Sequence, residues 1–299
     1  MGASGVGTAS SPSPLGPLVE RLESLGVLDA PGKAVGKAVR SAFGPGALKD
    51  ALSGTWLGHA LHPLLTDVTI GSFVSAALLD VLGGDDDGRA AERLIAIGLV
   101  SYGPTALTGA SDWADSEIGD ERVRRVGLAH AATNSTAFAF FASSLAARRA
   151  GDRGRGKALG LAGVTLLAAG GYLGAHMSFF QGVGPNQTAF DDVPGDWTRA
   201  AGAGALEEGK PCSVLVGDAP VLLLRHSDGL HALHDRCSHR GCPLSDGEIE
   251  GELITCTCHG SRFDLRDGSV QRGPATAPQP VYEVREREGD IEVRVPQSG

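Results

Sequence analysis

The sequence predicts α and β structure in separate domains, a four-helix transmembrane bundle followed by a small antiparallel all-β domain. Two observations predict this fold class. Residues 62–183 are dominated by Ala, Leu, Gly and Val and contain four long apolar stretches. Residues 205–299 are strongly charged and contain short apolar runs separated by turn residues. We therefore expect a membrane domain at 55–183 and an all-β domain at 205–299, joined by a linker at 184–204.

The four apolar stretches each approach the roughly 20 residues that a helix needs to cross a bilayer. They occupy, in approximate bounds, residues 62–83, 94–111, 126–147 and 158–180. The connections between them are short and charged, and small residues are abundant, as close helix packing in lipid requires. The alternative is a soluble four-helix bundle, which needs a charged outer face on each helix. Because the third and fourth stretches have no such face, the membrane interpretation is favoured.

Residues 1–54 are predicted to hold a disordered tail and short amphipathic helices. The first residues are rich in Gly, Ser and Pro, a composition typical of disorder. From residue 16 to residue 52, apolar and charged positions alternate at helical spacing, and we expect Pro31 and Gly32 to divide this stretch into two helices. These helices either lie on the membrane surface or pack on the rest of the protein.

The charged second half has the pattern of an all-β domain. Short apolar runs at 214–216 and 221–224 flank a turn, and residues 281–287 and 291–295 predict a closing hairpin. Many short strands with regular turns indicate a small antiparallel barrel or sandwich. Residues 205–299 carry 10 Lys/Arg against 16 Asp/Glu, which argues against a nucleic-acid partner. This acidic balance suits a basic protein partner, although a solvated acidic face explains it equally well.

The cysteines indicate a metal site. All five follow residue 211, a clustering that favours metal binding over a disulfide scaffold. Cys237 and His239 form a C-x-H motif, and after sixteen intervening residues Cys256 and His259 form a C-x-x-H motif. Two loops that each offer one thiolate and one imidazole suit a 2Fe-2S cluster with two Cys on one iron and two His on the other. The alternative is a tetrahedral zinc site, for which C-x-H spacing is unusual.

Beyond these four residues, the second half resembles the Rieske family. The further segments that match the family's loops are Gly241, 243–244, 259–261, 263–264, 267–268 and 273–275. The resemblance implies that Cys237, His239, Cys256 and His259 bind a 2Fe-2S cluster, with the two histidines on the outer iron. It also implies that residues 273–275 form a loop that covers the cluster.

The resemblance implies roles for four more residues. Cys242 and Cys258 occupy the positions where quinol-oxidising members carry a disulfide between the two loops, the alternative being free thiols in a reducing cytosol. Ser261 is expected to donate a hydrogen bond to a cluster sulfur, which favours the reduced form. Those members add a second hydrogen bond from a Tyr where this chain has Phe263. We therefore expect a lower reduction potential here.

The first half resembles a bacterial four-helix membrane-domain family of unknown function. The matching residues are 58–67, with sequence GHALHPLLTD, and the apolar helix that follows and ends in Asp80. This domain is sometimes fused to Rieske domains. The resemblance covers roughly residues 55–183 and implies no activity.

Polar residues gather at one predicted membrane face, the face on which helix parity also places the Rieske domain. They are His59, His62, Asp67, Asp112, His130 and His176. Because ionisable groups inside a bilayer are costly and usually face a bundle interior or a site, we hypothesise a second site in the membrane domain. His130 and His176 would ligate a haem, or the group would hold a metal or a quinone headgroup. The alternative is that these side chains hydrogen-bond neighbouring helices or headgroups.

These features predict a membrane-anchored one-electron carrier, with membrane lipid and either a redox protein or a quinone as partners. One alternative is the redox subunit of a quinol-oxidising complex, and another is a ferredoxin that donates electrons to an oxygenase. A complete oxygenase is not expected, because the 40 residues after His259 are too few for a mononuclear-iron domain. No catalytic residue is assigned, so an electron carrier is favoured over a complete oxidoreductase.

Charge predicts a cell-membrane location with the Rieske domain on the extracytoplasmic side. Residues 148–157 carry five basic side chains against one Asp, so the positive-inside rule makes this loop cytoplasmic. The last helix then runs outward. A weaker opposing signal comes from Lys49, Arg122, Arg124 and Arg125.

Overall fold

The computed structural model describes residues 14–191 and 194–296. Residues 1–13, which belong to the predicted disordered tail, lie outside these ranges. The helices of the described residues are α1 Gly16–Glu23, α2 Asp29–Ala42, α3 Ala47–Ser53, α4 Leu61–Leu82, α5 Gly88–Ser116, α6 Glu121–Arg149 and α7 Arg153–Ala175. The strands are β1 Thr198–Gly202, β2 Cys212–Val216, β3 Ala219–His226, β4 Gly229–His234, β5 Glu248–Glu250, β6 Leu253–Thr255, β7 Arg262–Asp264, β8 Val270–Arg272, β9 Glu283–Arg287 and β10 Asp290–Arg294.

The described residues form two compact units. The first combines residues 14–38 with Ser116–Val183, and the second combines Val39–Asp115 with residues 184–296. The second unit therefore contains α3, α4, nearly all of α5 and every strand. This division differs from the domain boundaries expected from the sequence, which stay a prediction.

Among the described residues, three helices are long and apolar enough to cross a membrane. They are α4, α5 and Arg153–Phe180, which is α7 with the π-helical turn that follows it. The remaining predicted span, α6, is 29 residues long but has arginines near both ends and carries His130 and Asn134 inside. These polar residues lower its hydropathy, so the count of four spans remains a proposal.

The amphipathic segment divides earlier than expected. Helix α1 ends at Glu23 and α2 begins at Asp29, so Pro31 lies in the first turn of α2. A proline is tolerated there because the first turn leaves its N–H positions without helical partners in any case. The expectation that Pro31 and Gly32 break the helix is therefore wrong, and a third short helix, α3, follows.

Small residues allow close helix packing in both units. In the second unit, a Cβ on Gly98 of α5 would lie 2.6 Å from the Phe73 ring of α4. Between the same helices, Thr69 Oγ1 lies 2.9 Å from both Ser101 Oγ and Thr105 Oγ1. Close approach and hydroxyl contacts of this kind are typical of helices in lipid. They hold α5 against α4, and the last residues of α5 belong to the candidate site.

The β half consists of three antiparallel sheets with orders β1-β10-β9, β2-β3-β4 and β5-β6-β7-β8. The predicted closing hairpin is confirmed, because β9 and β10 pair across Glu288 and Gly289, both with positive φ. Strand β1 lies within the segment expected to be a linker, and its Thr198 pairs with Val293. Its small residues gave no strand signal, so the β domain begins earlier than expected from the sequence.

A buried apolar core supports the two loops with cysteines. It includes the fully buried Leu224, Leu244 and Phe263, and it extends to Cys237 and Cys256 themselves. The two cysteines are thus built into the core rather than placed on flexible loop tips, which keeps their positions well defined.

Candidate metal centre

The two loops share one backbone design. Each begins with a cysteine, Cys237 after β4 or Cys256 after β6. The N–H of that cysteine donates to the carbonyl five positions on, at 2.8 Å in both loops. Its own carbonyl accepts the N–H of the glycine four positions on, at 2.8 Å and 2.9 Å. These glycines, Gly241 and Gly260, have φ of +75° and +80°, which favours glycine over other residues. We call 237–242 the first loop and 256–261 the second loop.

The structure brings the predicted ligands together in pairs. The Cys237 and Cys256 thiols are buried, outside any disulfide and hydrogen-bonded to each other. The His239 and His259 rings have their centroids 5.1 Å apart and are nearly perpendicular. Two thiols and two imidazoles grouped in this way match the donor set of a 2Fe-2S centre with Cys on one iron and His on the other.

The protonation states of the two histidines and of Cys256 suit a metal. Burial lowers the pKa of both His239 and His259, so the rings are neutral and present a lone pair. The hydrogen bond shared by the two thiols, together with burial, raises the pKa of Cys237, while that bond lowers the pKa of Cys256 to about 7. Thiolate and neutral imidazole are the forms that ligate metals.

A disulfide joins the two loops, as the family resemblance implied. The Cys242 and Cys258 sulfurs are 2.08 Å apart. Both lie within 4.8 Å of the Cys256 sulfur, so the bond is next to the proposed ligands. The remaining cysteine, Cys212, is free and half-buried on β2, far along the chain from both loops.

A third segment, after β8, is tied to both loops. The Ala275 N–H donates to Ser261 Oγ of the second loop at 3.0 Å. Ser238 of the first loop donates its hydroxyl to the Ala277 carbonyl at 2.9 Å, and Gln279 Oε1 accepts its N–H at 3.0 Å. This arrangement agrees with the expectation that residues 273–275 lie over the cluster. Gln279 is buried, and a single Gln in a Pro- and Ala-rich run carries no sequence signal.

The two predicted tuning residues are both buried. Ser261 is 1% exposed, and because its oxygen accepts the Ala275 N–H, its own proton remains available to donate. Phe263 on β7 is fully buried and has no hydroxyl to offer. That these two residues tune a cluster stays a prediction.

Residues of the α3 region also contact these loops, which the sequence did not reveal. Asp50 Oδ1 accepts the Gly273 N–H at 2.9 Å, and Thr55 donates its hydroxyl to the Ala275 carbonyl at 3.3 Å. A Cβ on Gly260 would lie 3.0 Å from Pro45. The loops are thus packed on the chain segment that precedes α4.

A buried ion pair lies under the imidazoles. Asp115, at the end of α5, has its Oδ2 3.7 Å from His239 Nε2 and 2.7 Å from Lys49 Nζ. Lys49 also donates to the carbonyl and hydroxyl of Ser111, at 3.0 Å and 2.8 Å. Because Nε2 of His239 is directed at Asp115, its Nδ1 is left for a metal. Neither Lys49 nor Asp115 was expected at the site.

A cavity of about 450 Å³ opens beside His259. Its lining includes residues 255–260, which contain the start of the second loop. It also includes Gly44 and four charged residues, Arg40, Lys49, Asp115 and Glu248. A ligand imidazole is therefore reachable from a charged pocket of molecular size.

Several of the six residues of the hypothesised membrane site lie within hydrogen-bond distance of other groups in their own unit. In the second unit, His62 Nδ1 lies 3.0 Å from the Thr105 carbonyl. In the first unit, His130 Nδ1 lies 2.8 Å from the Gly170 carbonyl, and His176 Nε2 lies 2.9 Å from Glu23 Oε1. His59, Asp67 and Asp112 belong to the second unit. The hydrogen bonds agree with the alternative left open from the sequence, and a haem, metal or quinone there stays a hypothesis.

Comparison with known proteins separates the same two halves. Residues 196–283 match the family described as Rieske [2Fe-2S] domain, and residues 58–187 match the family described as predicted membrane protein, DUF2231. The anthranilate 1,2-dioxygenase ferredoxin subunit of Burkholderia cepacia is 33% identical over 100 residues, which are 33% of this chain and 93% of that protein. Ferredoxin CarAc of Metapseudomonas resinovorans is 34% identical over 98 residues, 32% of this chain and 92% of that protein.

Solved structures include the ferredoxin of carbazole 1,9a-dioxygenase from Nocardioides aromaticivorans IC177. It is 29% identical and covers 33% of this chain and 98% of its own, with a TM-score of 0.32. The two sequence relatives are matched over nearly their whole lengths, and the Rieske family match at residues 196–283 contains both loops. This chain therefore belongs to the Rieske [2Fe-2S] family, and it is a membrane-anchored one-electron transfer protein in which a 2Fe-2S domain follows a DUF2231 membrane domain.

Proposed function

We propose that Cys237, Cys256, His239 and His259 hold the cluster and that its electrons come from a quinol at the membrane surface. The observation that supports this most is the position of His239, whose Nε2 lies 3.7 Å from Asp115 at the end of α5. Helix α5 is one of the candidate membrane spans. A cluster whose imidazole side faces the end of such a helix is close to where a lipid-soluble donor would arrive.

The cavity beside His259 supports a small-molecule donor. Ligand pockets typically enclose about 300–1,000 Å³, and this cavity of about 450 Å³ is within that range. Arg40, Lys49 and Asp115 give the cavity a charged, polar lining, which suits the oxygens of a quinol headgroup better than a purely apolar wall would. The cluster, when bound, accepts one electron at a time. His259 supplies the contact through which that electron would leave the donor.

Filling the cavity tests this function. Gly44 lines the cavity, and a Cβ there would meet only the Arg40 carbonyl, at 3.7 Å, so Gly44→Trp adds bulk without displacing packed atoms. We expect this variant, in membrane vesicles, to be reduced by a short-chain quinol at least about tenfold more slowly, a loss of about 1.4 kcal/mol. Its reduction by dithionite and its midpoint potential are expected to be unchanged.

Gly204→Trp is the matched control, because Gly204 is an exposed glycine of the β half with open space around it. It should be reduced by quinol as fast as the unmodified protein. Equal quinol rates in all three proteins would contradict a donor site in the cavity. If quinol does not reduce the unmodified protein at all, the donor assignment is wrong.

A second candidate function is supported by the sequence relatives, one of which is by name the ferredoxin subunit of anthranilate 1,2-dioxygenase and another of which is named a ferredoxin. In that case this chain would pass electrons to an oxygenase. The midpoint potential separates the two functions. A value well above zero favours the quinol donor, whereas a value near about −150 mV, the low end for such centres, favours the ferredoxin function.

We further propose that Ser261 and Phe263 set the midpoint potential. Ser261→Ala should lower it and Phe263→Tyr should raise it, because a donated hydrogen bond stabilises the more negative reduced cluster. A difference of about 1 kcal/mol between oxidation states corresponds to about 40 mV for one electron. Redox titration followed by EPR measures both shifts, with Ser269→Ala, in a turn, as the control. An unchanged potential in Phe263→Tyr would refute the role of that position.

We place the Rieske domain outside the cytoplasm. The support is the basic loop at 148–157, which the positive-inside rule makes cytoplasmic, the one candidate span that follows it among the described residues, and the disulfide, which persists in oxidising compartments. Vesicles of known orientation, prepared for the quinol experiment, also report the side. An impermeant reductant should reach the cluster in right-side-out vesicles, and access in inverted vesicles alone would reverse the assignment.

A further inference from the structure

The turn between β3 and β4 brings three metal-ligating side chains together, outside both loops. Asp228 Oδ1 lies 3.1 Å from His226 Nδ1 and 2.8 Å from His231 Nε2. All three ligand atoms lie within 4.8 Å of one another. The group lies at the start of β4, whereas the first loop follows the end of that strand, so the two places are at opposite ends of β4.

The hairpin register explains why these residues meet. His226 pairs with Gly229 and Leu224 pairs with His231, so the two histidines lie on one face as diagonal neighbours. Diagonal neighbours are within reach of long side chains, and the two rings have their centroids 6.3 Å apart. Asp228 lies in the turn between them and places one carboxylate oxygen against both rings.

We propose that His226, Asp228 and His231 bind one divalent transition-metal ion of the Zn²⁺ type. Two imidazole nitrogens and one carboxylate oxygen form a donor set that suits Zn²⁺, Co²⁺, Ni²⁺ or Cu²⁺. Metal bonds of about 2.0–2.1 Å separate neighbouring ligand atoms by about 3.3 Å at the tetrahedral angles of Zn²⁺ and by about 2.9 Å at the right angles of tetragonal Cu²⁺ or Ni²⁺ sites. The two observed separations, 3.1 Å and 2.8 Å, are close to these values. Solvent fills the remaining coordination positions, because Asp228 is exposed.

The surroundings of His231 provide the second argument. Its Nδ1 lies 3.2 Å from the Leu265 carbonyl, which can only accept a hydrogen bond. The neutral ring therefore carries its proton on Nδ1 and directs the lone pair of Nε2 at the carboxylate of Asp228. Two acceptors at 2.8 Å need a cation between or beside them, and metal-ligating histidines are usually held by their other nitrogen in this way. A proton on Nε2, which would make the ring an imidazolium paired with Asp228, is the competing arrangement.

The charge on Asp228 suits a metal ligand. An exposed aspartate is ionised at neutral pH, so Asp228 offers a negatively charged oxygen. A bound ion would hold the end of β3, the turn and β4 together, so it should stabilise the β half by an amount that rises with the logarithm of its concentration over Kd.

The experiment uses full-length protein in detergent, without a histidine tag, loaded with its cluster and treated with EDTA. Titration with Zn²⁺ followed by calorimetry, and with Co²⁺ followed by visible absorption, should give one ion per chain in addition to the cluster iron. We expect Asp228→Asn to weaken binding by at least about tenfold. Asp218→Asn, in the exposed β2–β3 turn, is the matched control and should bind as the unmodified protein does.

Added Zn²⁺ should also raise the melting temperature of the unmodified protein and of Asp218→Asn but not that of Asp228→Asn. If Asp228→Asn does not fold, His231→Gln serves in its place, with the same expected loss. Equal zinc affinity in the unmodified and substituted proteins, or no zinc bound by folded protein, would overturn the proposal and leave an imidazolium–carboxylate pair. None of these outcomes depends on the electron donor of the cluster.

Discussion

Cys256→Ala is expected to abolish the cluster completely, whereas Cys212→Ala is expected to leave it intact. Both cysteines are free in the structure. Cys256 is 2% exposed and hydrogen-bonded to Cys237 between the two loops, whereas Cys212 is half-buried on β2. The thiolate is the form that holds iron, and no other free thiol lies near the pair. Iron and sulfide content, with the visible and EPR spectra of full-length protein, measure the outcome.

Alanine is chosen over serine because a serine oxygen could still bind iron. Circular dichroism of both variants provides the control for folding, since Cys256 belongs to the apolar core. A Cys256→Ala protein that retains two irons per chain would contradict the proposed ligands. Loss of the cluster in Cys212→Ala, with the cluster retained in Cys256→Ala, would also contradict the proposed ligands.

Cys242→Ser is expected to make the cluster labile and the β half less stable, by about 2–5 kcal/mol. The Cys242–Cys258 bond closes a loop with a sequence separation of 16, for which restriction of the unfolded chain contributes about 3 kcal/mol. It also joins the two loops that carry the proposed ligands. Thermal unfolding and the rate of cluster loss under air measure the effect.

The double variant Cys242→Ser/Cys258→Ser separates the two explanations for such a loss. It has no unpaired thiol at this position, so it lacks the chemistry that a lone cysteine could introduce. If the bond itself stabilises the loops, the double variant should lose as much free energy of unfolding as Cys242→Ser does, and it should lose its cluster as fast. A double variant as stable as the unmodified protein would show that the disulfide is dispensable.

The cluster loops could be predicted because their information is local. Cys237, His239, Cys256 and His259 fall in two short motifs, and Gly241 and Gly260 mark the same turn in each. Short motifs of ligands and turn residues require no knowledge of the rest of the fold. The resemblance to the Rieske family then supplied the disulfide, which the structure contains.

The contacts between the loops and the helical segment could not be predicted in the same way. Asp50 and Gly273 are 223 positions apart, and Lys49 meets Asp115 through the packing of two different helices. A single charged residue at a helix end is ordinarily read as a solvated group. Only the tertiary fold distinguishes Lys49 and Asp115 from the many exposed charges of the chain.

The helix boundaries illustrate a second limit. The apolar stretch at 94–111 marks only the middle of α5, which runs from Gly88 to Ser116 and therefore carries Asp115 to the loops. Hydropathy locates the apolar part of a helix, whereas backbone hydrogen bonding continues into charged residues at both ends. The part of α5 that matters for the site is the part that hydropathy did not predict.

An EPR-monitored redox titration of the full-length protein in its own membranes tests the central claim most directly. We predict a one-electron transition of a signal with a low average g value, present in the membrane fraction and absent from Cys256→Ala membranes. The same protein, purified, should contain two irons and two labile sulfides per chain. Zinc in place of iron after anaerobic expression, or a membrane fraction that contains the protein but no such signal, would contradict the account.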